Sequence, residues 1–172
     1  MSQATHAVLP RPTPAYRWAV LVFASLAMFG NYYVYDALNP VVDLLREADG
    51  LGLSYRQVGM LSTAYTVAAL LVLLAGGYLI DRFGARRAIV GFAALCVAAG
   101  AVSASADSFT QLMAGRFMLG LGAEPLIVAV TAVLAKWFKG KELGFAFGIN
   151  LSIARLGSAS ADWSPSFAAP LY

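Results

Sequence analysis

Charge is what this 172-residue sequence has least of: Asp, Glu, Lys and Arg make up 12% of it, about half the share of a soluble domain. A water-solvated globule is therefore excluded, and most of the chain has lipid as its solvent. Cysteine is almost absent as well. The single Cys96 lies in an apolar stretch, so neither an intrachain disulfide nor a thiolate metal cluster can form. One histidine, His6, leaves no paired-imidazole metal site and no His-dependent triad. With no nucleophile beside a base and no Gly-rich phosphate loop after a strand, an enzyme is not expected, and no cofactor or metal is implied. No cleavable signal peptide is expected either. Residues 1–15 are polar and broken by Pro10, Pro12 and Pro14, and the apolar run that follows is too long for a signal h-region.

What is present is apolar. Hydrophobic residues make up 60% of the chain, and the mean hydropathy is +0.71. Crossing a hydrocarbon core takes roughly 20 apolar residues in a helix. Stretches of that length are expected near 16–38, 58–80, 88–106, 110–134 and 143–162. After the first of them Val41, Val42, Leu44 and Leu45 alternate with Asp43, Arg46 and Glu47, which predicts an interfacial extension before a glycine-containing turn. Ser54 and Gln57 have the spacing of a capping box, or are an incidental polar pair in a loop.

Basic residues orient such a chain, because cytoplasmic loops retain Lys and Arg. Eight of the twelve fall on one side if the spans alternate: Arg11, Arg17, Arg82, Arg86, Arg87, Lys136, Lys139 and Lys141. Arg46 and Arg56 fall on the other. The N-terminus is therefore expected in the cytoplasm, with residues 1–15 as a disordered tail and 16–172 as a transmembrane bundle. The net charge of +3 and isoelectric point near 9.2 serve this orientation and do not imply a nucleic-acid partner. Trp163, Ser164, Pro165, Phe167 and Pro170 read as a turn before a further helix, after which the chain stops. A fragment or truncated gene is the expectation.

A charge inside an apolar span costs at least ~2.5 kcal/mol on insertion scales, so it is a candidate for function. Asp36, Arg116, Glu124 and Arg155 are such charges. Counting ~1.5 Å per residue puts Glu124 about 21 Å into the fourth span and Arg155 about 18 Å into the fifth, at matching depth. Arg116 lies about 12 Å nearer the outside than Glu124. Asp36 falls close to the outer end of its span, where water can reach it. Pro125 removes the hydrogen bond to the carbonyl of Leu121 and should kink or loosen the helix beside Glu124. Glu124 and Arg155 then either line a central cavity, binding an ammonium and a carboxylate, or form a structural ion pair. Arg116 reads as structural or coupling-related. Gly144 and Gly148 have the GxxxG spacing, and Gly120, Gly122 and Ala123 thin the fourth span for packing. Tyr16, Trp18, Trp137 and Trp163 fit interfacial belts. The sequon at Asn150 lies within a span and is unusable.

The segment from Gly77 through Asp81, Arg82 and Gly84 to Arg86 and Arg87 resembles the GxxxDRxGRR signature of the major facilitator superfamily. Physically, Gly77 should admit a neighbouring helix, Gly84 a tight turn, and Asp81 a pairing with nearby arginines or a helix N-terminus. Gly115, Arg116, Gly120 and Gly122 resemble the family's fourth-helix motif, whose arginine is linked to proton coupling. Lys136–Leu143 and Ser152–Ser158 look like the branch that contains the lysosomal dipeptide transporters. There the resemblance implies that Glu124 and Arg155 hold the two ends of a dipeptide.

The fold class so expected is an all-α membrane protein, about five transmembrane helices of an incomplete six-helix N-terminal major facilitator bundle. The family holds substrate between two such halves, so the missing partner is the C-terminal half. The leading expectation is transport of a small-molecule substrate, a dipeptide or similar zwitterion, across a lipid bilayer by alternating access with proton coupling. A non-transporting structural or interaction fragment is the alternative. Alanine-rich spans and the lack of a usable sequon point to a bacterial plasma (inner) membrane.

Overall fold

The computed structural model describes residues 14–47, 50–140 and 142–168. The tail expected at 1–15 falls almost wholly outside them, as does Lys141. The described residues form helices and no strand. They are α1 (Pro14–Asp36), a 3-10 turn (Asn39–Val41), α2 (Val42–Arg46), α3 (Tyr55–Phe83), α4 (Ala85–Ala104), α5 (Phe109–Phe138) and α6 (Leu143–Ala168). Among the described residues four helical segments are long and apolar enough to cross a membrane: Ala15–Arg46, Tyr55–Leu73, Ala85–Ala104 and Phe109–Phe138. At 26 residues α6 has the length, but Asn150, Arg155, Asp162 and a series of serines dilute its apolar character.

The helix ends follow local chemistry. The Ser54 hydroxyl accepts from the Gln57 amide at 3.3 Å, and the Gln57 side chain accepts from the Ser54 amide at 2.9 Å. This closed capping box satisfies donors that a helix start leaves free, so α3 begins at Tyr55, where the Ser54–Gln57 spacing places a helix start and three residues before the apolar stretch expected from 58. Ser108 starts α5 in the same way by accepting from the Gln111 amide. Between α3 and α4, Gly84 takes φ of +81°, a conformation that a side chain resists. The interfacial extension after the first span is the short α2. Its Arg46 guanidinium lies 3.5 Å from the Tyr55 ring centroid, and Leu45 packs with Leu53, Leu61 and Leu112 to close that end of the bundle.

Helix α5 is the centre: half of its apolar window is buried, against 11–28% for the other three. It lies along both α3 and α4, while α6 lies along α1 and α1 touches α5. Glycine makes these contacts close, since a membrane supplies no hydrophobic drive between helices. A Cβ at Gly115 would meet Ser103, and one at Gly120 would meet the backbone carbonyl of Tyr65. At Gly122 it would stand 2.9 Å from the Cys96 sulfur, and at Gly157 it would meet the carbonyl of Phe29. Leu21, Met28, Leu119, Leu126, Val130 and Phe138 fill the remaining space. Bulky apolar residues on the outer faces, such as Phe23, Leu70, Leu71, Val97 and Leu151, are exposed as lipid requires.

Two local expectations are corrected. Gly77, Gly144 and Gly148 were to admit a neighbouring helix, yet nothing lies within 4 Å of a Cβ placed at any of them; Gly76 packs where Gly77 was expected to. The kink or loosening expected at Pro125 does not end the fourth span. Its helix continues, and the proline is fully buried against Gly76, where a Cβ would come within 3.1 Å. Nor does Pro165 begin a turn. The carbonyl that its missing N–H would have bonded, that of Ala161, accepts from the Ser164 hydroxyl at 2.7 Å, so α6 runs through the proline. Asn150 is buried and accepts from Ser25 at 3.2 Å, which tethers α1 to α6.

Candidate functional site

Asn31, Tyr32 and Tyr35 on α1, Tyr65 on α3, and Glu124 and Ile127 on α5 line a cavity of about 240 Å3. One turn of α1 separates Asn31 from Tyr35, and one turn of α5 separates Glu124 from Ile127, so each helix presents a single face. The close approach of α3 at Gly120 brings Tyr65 to the same point. The Tyr65 hydroxyl donates to Glu124 Oε1 at 2.8 Å. Among the described residues no cation pairs with Glu124, because the ion pairs formed are Arg17–Glu142 and Arg46–Asp43. Glu124 is thus a half-buried carboxylate with a neutral partner and an open side. Around it, the Tyr35 ring meets Tyr65 edge to face at 4.8 Å, and the Cys96 thiol donates to Asn31 Oδ1 at 3.6 Å.

Arg155 stands across Tyr32. Its guanidinium lies 5.3 Å from the Tyr32 ring centroid, within the range of a cation–π contact. The direct pair with Glu124 that matching depth allowed is not formed. Arg155 is exposed and is not among the cavity-lining residues; it reaches the site only through Tyr32, since α6 packs along α1 and meets α5 only lightly.

Arg116 is buried and faces elsewhere. Its Nη1 donates to the backbone carbonyl of Tyr35 at 2.8 Å, one of the last carbonyls of α1, which lack partners within the helix. Asp36, the final residue of α1, accepts from Asn39 at 3.2 Å. The arginine therefore fastens the end of the helix that carries Tyr32 and Tyr35.

Asp81, Arg82, Gly84, Arg86 and Arg87 gather at the α3–α4 turn, about 24 Å along α3 from Tyr65. Of the two pairings expected of Asp81, with an arginine or with a helix N-terminus, the ion pair with an arginine is absent among the described residues. Arg82 donates to the Tyr78 hydroxyl at 2.9 Å, and Arg86 and Arg87 are exposed. At the starts of α1 and α6, Arg17 pairs with Glu142 at 2.9 Å and lies 4.9 Å from the Phe138 ring centroid. It is a joint between helices, where the sequence had counted it only among the basic residues that orient the chain.

Sequence reasoning found the charges and missed the aromatic wall. Its signal was the run Asn31-Tyr32-Tyr33-Val34-Tyr35, which interrupts an apolar span with hydroxyls.

Residues 24–161 match the family model described as Major Facilitator Superfamily. The chain is 38% identical over 148 residues to the lysosomal dipeptide transporter MFSD1 of Danio rerio, an alignment that covers 83% of the chain and 32% of the relative. The Homo sapiens protein of the same name is 34% identical, with 84% of the chain and 31% of the relative covered. The probable sulfoacetate transporter SauU of Cupriavidus necator is 29% identical, with 83% and 33% covered. The chain thus spans about a third of the length of these relatives.

Proposed function

This chain belongs to the major facilitator superfamily, and from that premise we propose that it is one helical bundle of a transporter for a small zwitterion, a dipeptide or close analogue, working by alternating access. Glu124 takes the substrate ammonium and Arg155 its carboxylate. The observation that carries this reading is the Glu124 carboxylate in the cavity wall without an ion-pair partner among the described residues, with the Arg155 guanidinium over Tyr32, another residue of that wall. An ion pair would satisfy both groups without substrate; here both stay available. The relatives named as dipeptide transporters support the substrate class. A cavity of about 240 Å3 is smaller than most ligand pockets, as suits one wall of a site closed by a second bundle.

In this reading α6 is a fifth span, and the N-terminus and the α3–α4 turn face the cytoplasm of a bacterial cell. Gly77, Asp81, Arg82, Gly84, Arg86, Arg87 and Arg116 serve conformational change and proton coupling, apart from substrate. Uptake of labelled dipeptide by the intact transporter tests the assignment. Glu124→Gln and Arg155→Ala should each lower it roughly 10- to 100-fold, the value of a lost charge-assisted hydrogen bond. Undiminished uptake with both changes present refutes the binding roles.

A further inference from the structure

A second concavity lies between α3 and α4, away from the substrate cavity. It holds about 530 Å3, is lined by Leu79, Phe83, Ala88, Gly91, Phe92 and Leu95, and carries Arg87 at one end. Gly91 keeps its floor open, for nothing lies within 4 Å of a Cβ placed there. From Arg87 to Leu95 the groove follows α4 for about 12 Å, close to the depth of one leaflet of a ~30 Å hydrocarbon core. Its polar end is the α3–α4 turn and its apolar end points into the bilayer.

That turn is short of anions. Arg86 and Arg87 are exposed and have no ion-pair partner among the described residues, Arg82 is bonded to a neutral hydroxyl, and Asp81 is the single acid among the four. The start of α4 adds its positive end, with no side-chain cap at Gly84. A phosphate above an acyl chain matches this order of charge and grease, and basic pockets between membrane helices bind anionic headgroups.

We propose that the α3–α4 groove binds an anionic phospholipid, one acyl chain lying along Phe83, Gly91 and Leu95 and its phosphate held by Arg87 and Arg86. This site is separate from the substrate cavity and independent of what is transported.

Tryptophan quenching in vesicles tests it with the full chain. A reporter is introduced as Phe83→Trp or, at the apolar end, Leu95→Trp, and the signal of the parent's three tryptophans is subtracted. The vesicles mix phosphatidylglycerol and phosphatidylcholine, with bromine on the chains of one or the other. Brominated phosphatidylglycerol should quench either reporter beyond its mole fraction, while Leu151→Trp on the outer face of α6 shows no bias. Arg86→Gln with Arg87→Gln should remove the bias, at about fivefold in relative affinity per arginine. Equal quenching by the two lipids, a bias that survives the double change, or a bias abolished by millimolar inorganic phosphate would each overturn the proposal. Either reporter alone suffices if the other variant does not fold.

Discussion

Glu124 keeps one neutral hydroxyl as its partner, that of Tyr65 on another helix, and this decides how it can act. A carboxylate held by an arginine in the empty site would have to surrender that partner before accepting an ammonium; one held by tyrosine is fixed in place and still free to pair. Tyr65→Phe should therefore weaken uptake of a free dipeptide about tenfold, within the 1.5–3 kcal/mol of a hydrogen bond to a charged group. A substrate analogue without a free amino group should be unaffected, and comparing the KM of the two ligands checks this. Glu124, Arg155 and Arg116 were legible in the sequence because a charge inside an apolar run is costly enough to stand out. Tyr65 was not, since tyrosine is tolerated near membrane interfaces and its partner lies 59 residues away in sequence. The absence of a Glu124–Arg155 pair was equally hidden. It depends on α6 packing along α1, and helix depth alone says nothing of which helices become neighbours.

At the scale of the element, glycine spacing proved less informative than glycine position. Gly144 and Gly148 have the motif spacing but face open space, whereas Gly115, Gly120, Gly122 and Gly157 hold helices together. Gly120→Ala should destabilise the bundle by about 1–3 kcal/mol, the range of overpacking, because the new Cβ meets the Tyr65 backbone and pushes α3, with its hydroxyl, away from Glu124. Gly148→Ala should be neutral or slightly stabilising, since alanine is the better helix former by about 1 kcal/mol. Thermal melts of the purified variants in detergent separate the two. The prolines carry the same lesson. A turn at Pro165 was the natural expectation from sequence, but Ser164 satisfies the freed carbonyl and the helix continues. Ser164→Ala should lower stability by about 1 kcal/mol, read from the same melts.

For the whole molecule, composition was enough to place the chain in lipid, because 12% charged residues leave too little polar surface for water. The family followed from two short motifs, and the family-model match over residues 24–161 agrees. The direction of the bundle in the bilayer rests on basic residues, and thiol labelling checks it. In a Cys96→Ala background, an impermeant reagent should modify Asp107→Cys on intact cells but Lys139→Cys only after permeabilisation. The central claim is that Glu124 and Arg155 read opposite ends of one zwitterion. Its most direct measurement is competition of labelled dipeptide uptake, in the intact transporter, by peptides blocked at one terminus. Glu124→Gln should erase the preference for a free peptide over its N-acetylated form and keep the preference over its C-amidated form, with Arg155→Ala showing the reverse. If both variants retain both preferences, the two charges do not hold the substrate ends.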